Sequence, residues 1–291
     1  MRPDSFAARA ATYSNSVWHA ELAEAFVRWL ALGPGLTVVD VGTGTGFAAL
    51  AVDGAARRRA DGAAEAQGDG VQADGTRAAG PQVGGADGVR VQGVDLSPAM
   101  IEVARERAAA AGRAGAVAFA VGDGHRLGLR DQSVDAVLFV TSLQYMEAAR
   151  ALGEARRIVR PGGTVAIATL EAGTMAPSVL YRRLLAEHGV ETPDRMGAFG
   201  HPDRLIALLE EAGLSDAETG QDVLRLADAD LAEAWRVSST MYARRLAGMA
   251  GPDLATLRHR YEAQVADALA TDEDGFRTIT MLMARARRPD R

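Results

Sequence analysis

Between residues 36 and 52 the chain reads Leu36-Thr37-Val38-Val39-Asp40-Val41, then Gly42-Thr43-Gly44-Thr45-Gly46, then Phe47-Ala48-Ala49-Leu50-Ala51-Val52. The first block is a short, continuous, β-branched run, the composition of a parallel strand buried on both faces. The last block is the opening of a helix. Three glycines in five positions join them, and glycine is the residue that takes positive φ at low cost and lets backbone approach a ligand. A strand–glycine turn–helix unit of this kind belongs to an open α/β sheet, where ligands sit outside the carboxyl ends of the strands at the point where strand order reverses.

The pattern repeats downstream. Val89 to Asp95 predicts a second strand; Ser97 and Pro98 then supply an N-cap and a first helical residue for a helix to about Ala111. Ala116–Val121 and Ser133–Val140 predict a third and a fourth strand, Ala148–Val159 a helix closed by Arg160-Pro161-Gly162-Gly163, and Thr164–Leu170 a fifth strand. Strand and helix alternate, which predicts a parallel sheet covered on both faces by right-handed crossovers. Before this core, Ser16–Leu32 has apolar residues at helical spacing and stops at Gly33-Pro34-Gly35. After it, a short helix is expected at His201–Ala212, a strand at Ala217–Leu226, and helical stretches at about Asp230–Leu246 and Asp253–Leu269. Phe276–Ala286 has the apolar centre of a long strand, and its place after a helical insertion suits an antiparallel addition to the sheet.

One stretch breaks the rhythm. From about Gly54 to Gly88 the chain is Gly, Ala, Asp, Gln and Arg, with Val71 and Val83 the only large apolar side chains. Such a segment buries too little surface to offset its ordering entropy and reads as a flexible surface insertion; an alanine-rich extension of the preceding helix is the other option. The expected organisation is an N-terminal helical lid (1–32), an α/β core (33–171) with that insertion, and cap helices plus final strands (172–291).

The glycine spacing selects the kind of ligand. A pyrophosphate-binding turn needs G-x-G-x-x-G, and here the third position is Phe47, with Gly46 one residue early. The turn reads G-x-G-x-G and suits a ligand without phosphate. Asp40 ends the first strand beside the crevice, Asp95 ends the second where an acid would bind two vicinal ribose hydroxyls, and Gly122-Asp123 follows the third at the position of an adenine edge. Gly42, Gly44 and Gly46 present no side chain to such a molecule. With a net charge of −6, clustered positive charge for nucleic acid is not expected. The absence of cysteine excludes disulfides, thiolate catalysis and cysteine-ligated metal; no HExxH or acid–histidine cluster suggests another metal. Met1–Tyr13 lacks the apolar centre of a signal peptide and no run reaches the length of a membrane span, so a cytoplasmic protein with a small-molecule substrate is expected, a homodimer being left open.

Val38–Gly46 resembles motif I of the class I S-adenosylmethionine-dependent methyltransferases. Val94–Met100 is similar to the family's acidic second-strand motif, Gly122–Leu127 with Ser133-Val134-Asp135 to its third motif, and Arg160–Gly163 to the turn before strand five. The closest flavour is the ubiquinone/menaquinone-biosynthesis-like subgroup acting on small molecules. The resemblance covers residues 36–170 apart from the insertion. It implies a Rossmann-like seven-stranded, mostly parallel sheet with an antiparallel last strand, a helical cap over the active site, and S-adenosyl-L-methionine as cofactor. It implies that Asp40, Gly42 and Gly44 lie at the methionine moiety, with Thr43 also at the cofactor, and Asp95 at the ribose. Leu96 and Met100 would pack on adenine, Asp123 would take its amino group beside Gly122, Gly124 and His125, and Thr141 and Ser142 would approach the methionine end. Tyr13 resembles an N-terminal tyrosine that covers the cofactor carboxylate.

The expected reaction is methyl transfer to an O, N or C atom of a mostly apolar natural product or metabolic intermediate, because the variable segments carry Trp18, Met175, Tyr181, Trp235, Met241, Tyr242, Met249 and Tyr261. In-line displacement needs positioning above all; a general base adds to it for hydroxyl or carbon acceptors. His19, His188 and His201 are candidate bases, each also explicable as surface or capping residues, and Tyr145 is a pocket or core candidate. The alternatives are a protein that binds the cofactor without methyl transfer, as regulator or cyclisation catalyst, and a nicotinamide-dependent oxidoreductase, which Phe47 and the absence of any lysine disfavour.

Overall fold

A computed structural model describes residues 10, 13, 16–67, 89–271 and 274–290, with backbone alone for 62–67, 252 and 274. Its centre is a seven-stranded sheet in the order β3-β2-β1-β4-β5-β7-β6, formed by β1 (Thr37–Val41), β2 (Arg90–Asp95), β3 (Val117–Val121), β4 (Val134–Val140), β5 (Val159–Leu170), β6 (Ser215–Arg225) and β7 (Thr278–Arg287). Strands β1–β5 pair in parallel, and β7 is antiparallel to both β5 and β6. The chain runs outward from β1 to β2 and β3, then returns to β4 on β1's other side, so strand order reverses between β1 and β4.

Strand alternation divides the core between the two faces of the sheet. Val38, Val91, Ala136, Leu138 and Ala166 face α1 (Val17–Leu30), α2 (Phe47–Gln67) and α3 (Pro98–Ala110). Val39, Val137, Phe139, Val165 and Ile167 face α4 (Ala148–Ile158) and, beyond it, α6 (Pro202–Glu211). Each central strand is therefore apolar at consecutive positions rather than alternating. Edge strand β6 is largely exposed and polar, as an edge facing water should be.

A helical cap stands over the carboxyl edge of the sheet: α5 (Ala176–Glu187), α7 (Asp228–Met241) and α8 (Gly251–Ala270). Its own core is aromatic. Tyr181 lies 5.1 Å from Trp235, 6.0 Å from Tyr242 and 5.7 Å from Tyr261, centroid to centroid, and Tyr181 and Tyr261 are fully buried. Aromatic pairs at such distances add attraction beyond their buried area.

The structure departs from the sequence reading in a few places. Helix α5 is absent from that reading, although Pro177 in its first turn and the buried Leu180, Tyr181, Leu184 and Leu185 carry its signal. Strand β5 begins at Val159 because Arg160–Gly163 forms a bulge, Val134 facing Val159 and Ala136 facing Thr164. The stretch 54–67 takes the second of the two options weighed for it: it continues α2 as far as Gln67. Residues 68–88 of the expected insertion lie outside the described residues.

Candidate active site

The carboxyl ends of β1, β2, β3 and β4 converge on a cavity of about 320 Å³. Its floor is the glycine turn. Gly42 and Thr43 donate backbone N–H bonds to the Val94 carbonyl at 2.7 and 3.0 Å, which ties the turn to the end of β2. Gly42 has φ +71°, and a Cβ there would stand 2.5 Å from the Ser142 Cβ, so no larger residue fits. Ser142, just past β4, donates its hydroxyl to the Val41 carbonyl at 2.6 Å.

The first two acids are set differently. Asp40 is buried; its Oδ2 accepts the Thr43 hydroxyl at 2.6 Å, while its Oδ1 is buried without a partner among the described residues. Burial pushes its carboxyl up to about 6, against the lowering effect of the Thr43 bond. Asp95 accepts the Gly44 N–H at 2.9 Å and the Ser97 N–H at 2.8 Å. It thereby bridges the glycine turn to the start of α3, where Ser97 caps the Met100 N–H at 3.4 Å. Burial raises the Asp95 carboxyl too, opposed by its backbone hydrogen bonds.

Asp123 is half-exposed. Its Oδ1 accepts the His125 N–H at 2.9 Å and stands 2.6 Å from His125 Nδ1. The backbone N–H of Glu147 donates to His125 Nε2 at 3.0 Å. With Nε2 accepting, the ring hydrogen lies on Nδ1, toward Asp123. The His125 N–H, followed by the ring contact, holds the Asp123 carboxyl below its usual range. One carboxylate oxygen is saturated in this way, and Oδ2 is left for a ligand. Half-exposed Leu96 and buried Met100 complete this side of the wall.

A second cavity of about 170 Å³ opens beneath the cap, lined by Met175, Pro177, Val179, Val237, Met241 and Tyr242 among others. Tyr13, His19, Thr141 and Tyr145 line both cavities and form the wall between them. Thr141 follows β4 directly with φ +46°, a conformation a β-branched residue adopts only where its surroundings impose it, as strand-tip sites often do. His19 is sandwiched by rings: Trp18 stacks at 3.6 Å, Tyr13 is tilted at 4.7 Å and Phe47 lies parallel at 6.3 Å. Arg195 sits over Tyr145, 5.6 Å from the ring centroid, and Arg182 pairs with Asp194 at 2.7 Å.

Of the expected site residues, the structure brings Tyr13, Asp40, Gly42, Thr43, Gly44, Asp95, Leu96, Met100, Gly122, Asp123, Gly124, His125, Thr141, Ser142, Tyr145 and His19 to one cavity. Two stand apart. Gly46 does not line it; its φ of +86° serves packing, since a Cβ there would stand 3.0 Å from the Phe119 ring and 3.1 Å from Ala104. His201 is exposed in front of α6, lines neither cavity, and makes no side-chain cap bond. His188 bonds its own helix, Nδ1 lying 2.9 Å from the Leu184 carbonyl. Leu22, Phe47 and Met146 line the inner cavity without having been singled out as ligand contacts; for Phe47 the signal was its place directly after the glycine turn. Trp18, Met175, Met241 and Tyr242 line the outer cavity, whereas Tyr181, Trp235 and Tyr261 form the cap's core.

The comparisons with known proteins bear on this geometry. Residues 68–167 match a family model described as a methyltransferase domain. Methyltransferase GfsG of Streptomyces halstedii is 32% identical over 146 residues, which is 48% of this chain and 48% of that protein. The ubiquinone/menaquinone biosynthesis C-methyltransferase UbiE of Acidiphilium cryptum is 41% identical over 70 residues, 24% of this chain and 28% of its own length. The chain spans less than half the length of such curated relatives, 36% of one and 48% of another. Among solved structures, phosphoethanolamine N-methyltransferase 2 of Haemonchus contortus superposes with a TM-score of 0.51 at 19% identity, over 92% of this chain and 52% of that one, a likeness of fold. Over residues 68–167 the chain is thus similar to a methyltransferase domain, and its sheet shares the fold of the Haemonchus contortus enzyme.

Proposed function

We propose that the protein transfers a methyl group from S-adenosyl-L-methionine to an O, N or C atom of a mostly apolar small molecule. The observation that carries this reading is the pair of cavities meeting at one wall of Tyr13, His19, Thr141 and Tyr145. A donor in the inner cavity and an acceptor in the outer one would face each other across it.

The inner cavity suits an adenosine attached to an amino acid. Asp95 offers carboxylate oxygens to vicinal hydroxyls, Asp123 Oδ2 is left to accept an exocyclic amine, and Asp40 lines the same cavity as the acid for an ammonium group. No arginine lines it among the described residues, so no phosphate is catered for. When bound, the cofactor supplies a methyl group on a cationic sulfonium, already activated for displacement. The chain's own part is alignment, worth about 7–11 kcal/mol when two reactants are held in line, with proton acceptance by His19 and Tyr145 as the neighbouring polar ring. In the outer cavity Met175, Met241 and Tyr242 favour an apolar acceptor. The names of the relatives, GfsG and UbiE, are those of methyltransferases. Among the described residues no helix is long and apolar enough to cross a membrane, and we place the protein in the cytoplasm.

Calorimetric titration with S-adenosylhomocysteine, followed by incubation with methyl-labelled cofactor and a panel of apolar acceptors, tests the reading. Micromolar binding together with label appearing in a product is expected. Absence of binding refutes it, and tight binding without transfer across the panel favours a non-transferring, cyclase-like role.

A further inference from the structure

Ser16 occupies the N-cap position of α1 with extended backbone, yet its hydroxyl makes no cap bond to that helix. The first N–H groups of α1 are met from elsewhere. Asp230, in the first turn of α7, accepts from the Val17 N–H at 3.0 Å and the Trp18 N–H at 3.3 Å. The Ser16 hydroxyl donates to Oδ1 of the same carboxylate at 3.2 Å, and its oxygen lies 2.7 Å from His19 Nδ1.

A serine hydroxyl has a single proton. With that proton committed to a carboxylate, the Ser16 oxygen can only accept from His19, so Nδ1 carries the hydrogen. The lone pair of the neutral ring then belongs to Nε2. The stacked Trp18, Tyr13 and Phe47 rings hold the imidazole plane, and the Asp230–Ser16 pair holds its tautomer. We propose that Ser16 and Asp230 are positioning residues that fix His19 as the Nδ1–H tautomer and make Nε2 the atom that takes the acceptor's proton. This rests on the methyltransferase reading above.

The step balances. The acceptor's O–H or N–H proton passes to His19 Nε2, and the electron pair left behind forms the bond to the methyl carbon. The pair of the broken S–C bond stays on sulfur. One positive charge leaves the sulfonium and one appears on the imidazolium, where Asp230 faces it through Ser16. Because Asp230 also holds the start of α1, the ring is in register only when the lid helix is seated on the cap.

Helix capping alone accounts for the bonds to Val17 and Trp18 but not for the contact between Ser16 and His19. The Ser16→Ala variant separates the two, since it leaves the Asp230 bonds to α1 in place and removes only the hydroxyl. The full chain, labelled with 15N-histidine and saturated with S-adenosylhomocysteine, gives long-range 15N–1H correlations that report each ring's tautomer, and His19→Gln identifies the His19 signal. Wild type and Ser16→Thr should show the Nδ1–H pattern at a pH where the ring is neutral. Ser16→Ala should lower the Nδ1–H to Nε2–H ratio by about tenfold, the size of one lost hydrogen bond. A wild-type Nε2–H pattern overturns the proposal, as does an unchanged ratio in Ser16→Ala; if that variant does not fold, the wild-type spectrum decides alone. Calorimetry on the same samples keeps the two readings apart: failure of the wild type to bind S-adenosylhomocysteine refutes the methyltransferase reading, and binding with the wrong tautomer refutes only the relay.

Discussion

Asp40→Asn probes how the fold holds an acid it cannot solvate. In the folded chain the Asp40 carboxyl is raised from its ordinary 3.8 to about 6 by burial. The folded state therefore keeps a proton that the unfolded chain releases between pH about 4 and about 6, and stability contributed by the protonated form is lost as pH rises through that window. At about 1.4 kcal/mol per pH unit, the deficit above pH 6 is about 3 kcal/mol. Asparagine removes the ionisation and keeps an oxygen to accept the Thr43 hydroxyl. It also places an NH₂ group where Oδ1 has no partner, which returns about 1–2 kcal/mol of the gain. Urea denaturation of the cofactor-free protein should thus show Asp40→Asn more stable than wild type by about 1–2 kcal/mol at pH 7.5. Near pH 4 that advantage should be gone. Affinity for S-adenosylhomocysteine should fall at the same time, because an ammonium group would lose its carboxylate. A variant no more stable than wild type at pH 7.5, or an advantage that persists undiminished at pH 4, would refute the assignment of the strain to a buried carboxylate.

Other substitutions read other parts of the site. Asp95→Ala should weaken S-adenosylhomocysteine binding by about 1–3 kcal/mol in calorimetry, as expected for lost charge-assisted bonds; unchanged affinity contradicts the ribose assignment. Gly42→Ala should lower stability by about 2 kcal/mol or more in thermal unfolding, since it combines φ +71° with a 2.5 Å approach to the Ser142 Cβ. Arg113→Ala should cost about 1–2 kcal/mol in denaturant, because buried Asp53 loses its paired bonds of 2.5 and 2.6 Å and keeps only the longer 3.8 Å pairing with Arg57.

The sequence alone determined what is encoded over short distances. The strand, glycine turn and helix at 36–52 lie within a few residues of one another, and so do the acids at the ends of β2 and β3; backbone propensity and hydrophobic period suffice to read them. Helix α5 was equally local in its signal, yet its apolar residues are shared between a cap core and a cavity, and composition does not say which. Only the tertiary structure decided that Tyr181 and Tyr261 pack inward while Tyr242 and Met241 line the outer cavity, that Gly46 serves packing, and that His201 stands away from both cavities. It alone brought Asp230 to Ser16 and His19 across 214 positions of chain. The physical reason is that such contacts carry no local trace: a serine before a helix looks like an N-cap in any sequence, and whether its hydroxyl turns to its own helix or to a carboxylate on another is settled by packing between distant segments.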